Sequence, residues 1–166
     1  MEGLRIVPWR PDHTAALAQV LEPPDDLTGQ IRDQYGHDLD GPEWRRTLVA
    51  ERAGDPVGAA TVFASRRHPA RLWASVEVGP AHRRAGVGTA LLDAVRHSGR
   101  HDSRPLRGKV FAGSPGALFA RAAGFRVIQR SRTFHMAGAA RVSTPSLFVV
   151  DLSPAPDRVA AAFREF

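Results

Sequence analysis

Residues 76–92 read VEVGPAHRRAGVGTALL. The stretch begins with the period-two spacing of a strand, Val76 and Val78 on one side and Glu77 on the other. It ends in helical spacing, with Leu91, Leu92 and then Val95 on one face and Gly99 as the stop. Between them a short loop supplies Arg83 and Arg84, and the helix opens at Gly86-Val87-Gly88-Thr89. A helix start presents unpaired backbone N–H groups and the positive end of the helix dipole. Glycines there remove the side chains that would hold an anion away, so the segment predicts a phosphate cradle. The dipole contributes only about 0.3–1 kcal/mol when exposed. Several amides and an arginine have to supply the rest.

The spacing excludes two common nucleotide sites. Leu91 stands where the third glycine of a dinucleotide fingerprint would be, and no Gly-Lys-Ser/Thr follows to make a P-loop.

Outward from this stretch the chain predicts strands at Leu4–Trp9, Thr47–Ala53, Val57–Ser65, Leu72–Val78, Leu106–Ala112, Phe125–Met136 and Ser146–Leu152. Gly54-Asp55-Pro56 makes the second and third a hairpin. Helices are expected over residues 11–21, over a short segment 27–36, after Gly86, over Pro115–Ala123 with Ser114 as N-cap, and over 157–166. The order predicts an α/β protein with a mixed sheet flanked by helices.

Taken together, these pieces resemble the GCN5-related N-acetyltransferase (GNAT) superfamily. Its acyl-CoA signature, Gln/Arg-x-x-Gly-x-Gly/Ala, reads here Arg83-Arg84-Ala85-Gly86-Val87-Gly88. SPGALFARAAGF (Ser114 to Phe125) is similar to the family's second motif, and TLVAERAGDPVGAATVF to its second and third strands. The resemblance covers residues 3 to 152. It implies a twisted mixed sheet of six to seven strands and one acyl-CoA-binding domain, residues 1–153, with 154–166 a C-terminal helical extension. It implies transfer of an acyl group, by default from acetyl-CoA, directly to an amine. The cofactor-binding residues would be Val76, Val78, Arg83, Arg84, Ala85, Gly86, Val87, Gly88, Thr89 and Ser114. Backbone amides from Arg84 to Thr89 would hold the pyrophosphate, and Val76 and Val78 would pair with the pantetheine. Glu77 is the candidate general base. Phe119 stands where many members carry a tyrosine that protonates the leaving thiolate. A non-catalytic acyl-CoA-binding regulatory module, as in a tandem-domain member, is therefore the alternative.

The 166 residues hold no cysteine, which excludes a disulfide framework, a Cys zinc site and a thiol nucleophile. Histidines 97 and 101 lack companions for a metal site, so no metal is expected. No apolar run is long enough to span a bilayer, and the opening MEGLRIVPWRPDH has no signal-peptide core, so a cytoplasmic protein without membrane contact is expected. The net charge is +6, with 23 Lys and Arg against 17 Asp and Glu. The arginines are scattered and few aromatics interleave with them, so nucleic acid is not the expected partner. Residues 25–43 concentrate Asp25, Asp26, Asp33, Asp38, Asp40 and Glu43 against the lone Arg32. Such an acidic stretch would attract a cationic small-molecule amine as acceptor. The late strands offer an edge on which a second copy could form a homodimer.

Overall fold

The computed structural model describes residues 3–23, 32–33, 35–98, 104–137 and 140–151. The chain forms two compact units, Met1–Arg104 and Pro105–Phe166.

The first unit is built on four antiparallel strands in chain order: β1 (Leu4–Pro8), β2 (Arg45–Arg52), β3 (Asp55–Ala64) and β4 (Leu72–Val78). Pro8 closes β1 at the sheet edge, where its missing N–H costs no ladder bond. The β2–β3 hairpin turns through Ala53 and Gly54, both left-handed at φ 54° and 96°. Helix α1 (His13–Val20) and helix α2 (Val87–Ser98) complete the unit.

The strand register assigns residues to two faces. One cross-strand row runs Val7–Val49–Ala59–Glu77. Val49 and Ala59 form a buried core with Leu17 and Leu21, from and just after α1, and Val7, Trp9 and Tyr35 pack against that core. The opposite face carries the rows Ala50–Gly58–Val78 and Leu48–Ala60–Val76. There α2 buries Val87, Leu91, Leu92 and Val95. The small residues let the helix come close: a Cβ at Gly58 would lie 3.3 Å from Leu91 Cδ1 and 2.7 Å from the Glu77 carbonyl oxygen. Val76 and Val78 thus share the α2 face and Glu77 the α1 face, as strand alternation requires.

The second unit pairs β5 (Leu106–Phe111) with β7 (Ala140–Asp151), and β7 with β6 (Arg126–Ala137), all antiparallel. Helix α3 (Pro115–Ala122) follows β5. The last strand starts at Ala140 rather than at Ser146. Pro145 argues against a strand on sequence, but the ladder shifts register there, between the Arg132–Ser146 and Phe134–Ser143 pairs. A bulge is the place in a sheet where proline is tolerated. The helix expected at 157–166 and most of that expected at 27–36 lie outside the described residues.

Candidate functional site

The anion loop leaves β4 through Gly79 and a 3-10 turn, Pro80–His82. Gly79 is required there, since a Cβ would fall 2.5 Å from Val20 Cγ1 and 2.9 Å from the Val20 carbonyl oxygen. Arg84 then adopts φ 63° and Gly86 φ 78°. A left-handed arginine costs about 1–2 kcal/mol. Left-handed residues two apart in a loop suit an anion-binding nest, in which successive N–H groups turn toward one side. The first intrahelical bond of α2 runs from Ala90 N–H to the Gly86 carbonyl, 3.0 Å. The amides of Val87, Gly88 and Thr89 therefore precede the ladder and carry the dipole's positive end. Ala85, Gly86 and Thr89 are exposed, Gly88 is half-buried, and Val87 is buried as the anchor of the helix.

The two arginines of the loop have different surroundings. Arg83 bends back: its Nη2 donates to Glu22 Oε2 at 2.5 Å and its Nε to the Val78 carbonyl at 3.2 Å. It ties the loop to the end of α1 and shares a carbonyl of β4. Arg84 is exposed, and among the described residues it has no side-chain partner.

Glu77 is not a solvated strand carboxylate. Arg32 donates to its Oε2 twice, from Nε at 2.9 Å and Nη2 at 2.7 Å. The Tyr35 hydroxyl donates to Oε1 at 2.8 Å. The Glu77 side chain is 13% exposed and that of Arg32 19%. Burial, and then the Glu77 carboxylate, push the Tyr35 phenol well above its ordinary value, while Arg32 and a hydrogen bond with Ser75 pull it down. Sequence reasoning missed Arg32 and Tyr35 as site residues. The available signal was singularity, since they are the one arginine of the acidic stretch and the one tyrosine of the chain.

Three carboxylates of the acidic stretch are paired to two arginines. Asp38 and Asp40 pair with Arg46, at 3.5 and 2.6 Å, and Glu43 with Arg66 at 2.9 Å. Asp33 is exposed, and Asp25 and Asp26 lie outside the described residues.

Ser114 lies in the second unit as N-cap of α3. Its Oγ accepts from the Ala117 N–H at 3.2 Å and donates to the Phe111 carbonyl at 2.7 Å. Its hydroxyl is occupied by the backbone. Phe119 is half-buried on the same helix and carries no exchangeable proton. No group of three or more His, Cys, Asp or Glu fit to hold a metal occurs among the described residues. No helix among them is long and apolar enough to cross a membrane.

A mixed α/β fold with a strand, an anion loop and a helix N-terminus in this order defines a class of proteins that bind phosphate-bearing ligands. A family model for the acetyltransferase (GNAT) domain matches residues 43–127. The chain belongs to that family. A GCN5-related N-acetyltransferase from Kribbella flavida is 26% identical, with a TM-score of 0.66 over 90% of this chain and 97% of that one. The ribosomal-protein-S18-alanine N-acetyltransferase of Escherichia coli is 15% identical, with a TM-score of 0.65 over 93% and 97%. A GNAT family acetyltransferase from Elizabethkingia anophelis, solved with acetyl-CoA bound, is 12% identical, with a TM-score of 0.63 over 93% and 100%. These likenesses bear out the α/β GNAT fold expected from the sequence. No curated protein sequence matches the chain. The family uses acetyl-CoA as acyl donor.

Proposed function

We propose that this protein is an acetyl-CoA-dependent N-acetyltransferase that acetylates a small amine, cationic in solution, by direct transfer. The observation that carries the reading is the left-handed pair Arg84 and Gly86 ahead of α2. Strain at a non-glycine residue persists where the surrounding structure has a use for it, and here it gathers amides for the pyrophosphate of the donor. The exposed guanidinium of Arg84 adds a charge for the phosphates. Backbone groups of Val76 and Val78 suit the pantetheine, the Val78 carbonyl sharing its acceptor capacity with Arg83.

In the reaction the acceptor reaches the site as an ammonium ion and gives one proton to Glu77, directly or through water. The neutral nitrogen attacks the thioester carbon and the C–S bond breaks. The nitrogen's second proton balances the departing thiolate, and the proton on Glu77 returns to solvent. Glu77, 13% exposed on the α1 face of the sheet, is the carboxylate to which this reading gives the acceptor's proton.

The test is calorimetric titration with acetyl-CoA, with free CoA and NADH as controls, followed by a thiol-release screen over primary amines. Binding of acetyl-CoA but not NADH, with thiol release on at least one amine, supports the reading. Absence of binding overturns it. Binding without release on any amine favours the regulatory module, for which Phe119 is the motivating residue.

A further inference from the structure

A carboxylate offers about four lone-pair positions, two on each oxygen. On Glu77 both positions of Oε2 are filled by Arg32, and one position of Oε1 by Tyr35. One place is left, on Oε1. We propose that Arg32 and Tyr35 are positioning residues of the acyl-transfer site, holding the Glu77 carboxylate so that its single open acceptor place, on Oε1, receives the acceptor's proton. This rests on the acetyltransferase reading above and deepens it.

Three features make the arrangement more than a surface ion pair. First, both partners are themselves anchored. Arg32 Nη2 also donates to the Glu22 carbonyl at 2.6 Å, and the Tyr35 N–H donates to the Arg32 carbonyl at 2.9 Å. Tyr35 packs on the α1-face core. Second, the geometry is specific, since a guanidinium forked onto one oxygen and a phenol on the other fix both the rotation and the tilt of the carboxylate. Third, the other charged groups on the elements packed over this face are committed elsewhere. Glu22 goes to Arg83, and Glu51 to Arg10 and His13. Among the described residues only Arg32 and Tyr35 are hydrogen-bonded to the Glu77 carboxylate.

Arrangement of this kind affects turnover more than donor affinity, because a proton acceptor misplaced by a fraction of an ångström loses rate rather than binding. Tyr35→Phe and Arg32→Gln are therefore expected to lower kcat for thiol release from acetyl-CoA, with propylamine as the amine probe, by about 10-fold to 100-fold. The KM for acetyl-CoA stays within about twofold, since neither residue touches the anion loop. Arg32→Lys, which keeps the charge but loses the fork, recovers part of the Arg32→Gln loss.

A second readout needs no acceptor. Tyr35 is the only tyrosine, so tyrosinate absorbance reports this one phenol. Glu77→Gln is expected to move its ionisation to lower pH and Arg32→Gln to higher pH. Both shifts with the kcat losses support the proposal. Unmoved ionisation in Glu77→Gln shows that the cluster does not exist in solution and overturns it. Moved ionisation with unchanged kcat in Tyr35→Phe and Arg32→Gln overturns the positioning role while the enzyme reading stands. Moved ionisation in a wild-type protein that acetylates no amine overturns the role through failure of the enzyme reading itself, and the absorbance separates that case from the others.

Discussion

The Tyr35 hydroxyl and the Glu77 carboxylate meet at 2.8 Å across 42 residues of chain. The contact sits where a polar row meets an apolar one. Behind it, Ala59 is the cross-strand neighbour of Glu77, and the row continues through Val49 to Val7. Beside it, Thr47, Thr61 and Ser75 form the next row, with the two threonine hydroxyls 3.3 Å apart. The α1 face of the sheet thus changes from hydrocarbon to hydroxyl to carboxylate over a few ångströms. A phenol is the side chain that can pack on the first and bond to the last.

That burial makes stability depend on alkaline pH through Tyr35. Its folded-state pKa is raised above 10.0 by burial and by Glu77. Above about pH 10 the unfolded chain releases the phenolic proton while the native state keeps it. The native state then binds more protons, and stability falls as pH rises, at up to about 1.4 kcal/mol per pH unit from this group. The contribution is complete below the unfolded value and is lost as pH climbs toward the folded one. Urea unfolding of the wild type and Tyr35→Phe, compared across this range, is expected to show a shallower alkaline decline in the variant. Parallel declines would refute the assignment.

The anion loop makes a paired prediction. Gly86→Glu places a carboxylate and a strained backbone, φ 78°, in the cradle. It is expected to abolish acetyl-CoA binding by calorimetry while the protein remains folded by circular dichroism. Arg84→Gly does the opposite to the backbone, relieving the strain at φ 63°. Its melting temperature is expected not to fall, while acetyl-CoA affinity drops several-fold with the lost guanidinium. Full affinity in Gly86→Glu would remove the loop from the donor site.

Much of this was legible before the structure. The strand–loop–helix stretch 76–92 carries its own punctuation, because glycine, proline and hydrophobic period act locally. The hairpin of β2 and β3 was legible for the same reason, and so was Ser114 as a cap. Glu77 could be assigned a face by alternation alone. What alternation could not give was its partners, since Arg32 and Tyr35 come from a segment whose approach to β4 is set by tertiary packing on Leu17 and Leu21. The ion pairs of the acidic stretch were hidden for a related reason. Charge counts along a sequence do not show that Arg46 pairs with Asp38 and Asp40, or Arg66 with Glu43. The early start of β7 was hidden by a proline that only a bulge makes acceptable.

A second buried polar pair, away from the loop, separates stability from binding. His13 accepts the Arg10 N–H on Nδ1 at 3.1 Å, so Nε2 carries the ring proton and donates to Glu51 at 3.2 Å. The two side chains are 3% and 8% exposed. Glu51→Ala leaves a buried N–H without an acceptor, which costs about 1–3 kcal/mol. The added contact from Arg10 contributes little, since that arginine is 52% exposed. A lower urea midpoint with unchanged acetyl-CoA affinity is expected. A loss of affinity at unchanged stability would mean that this end of the sheet reaches the donor site.

Ser114 offers the sharpest division between fold and chemistry in the second unit. In the family resemblance its position is that of a polar residue near the cofactor. In the structure its hydroxyl both accepts from Ala117 and donates to Phe111. Losing an N-cap of this kind costs about 1 kcal/mol. Ser114→Asp keeps an acceptor for the Ala117 amide, so it preserves the cap while losing the donor and adding negative charge. If the hydroxyl is only a cap, Ser114→Ala lowers the melting temperature, Ser114→Asp recovers it, and both bind acetyl-CoA as the wild type does. If the hydroxyl also contacts the cofactor, both variants lose affinity and the aspartate loses more, because its charge opposes the phosphates.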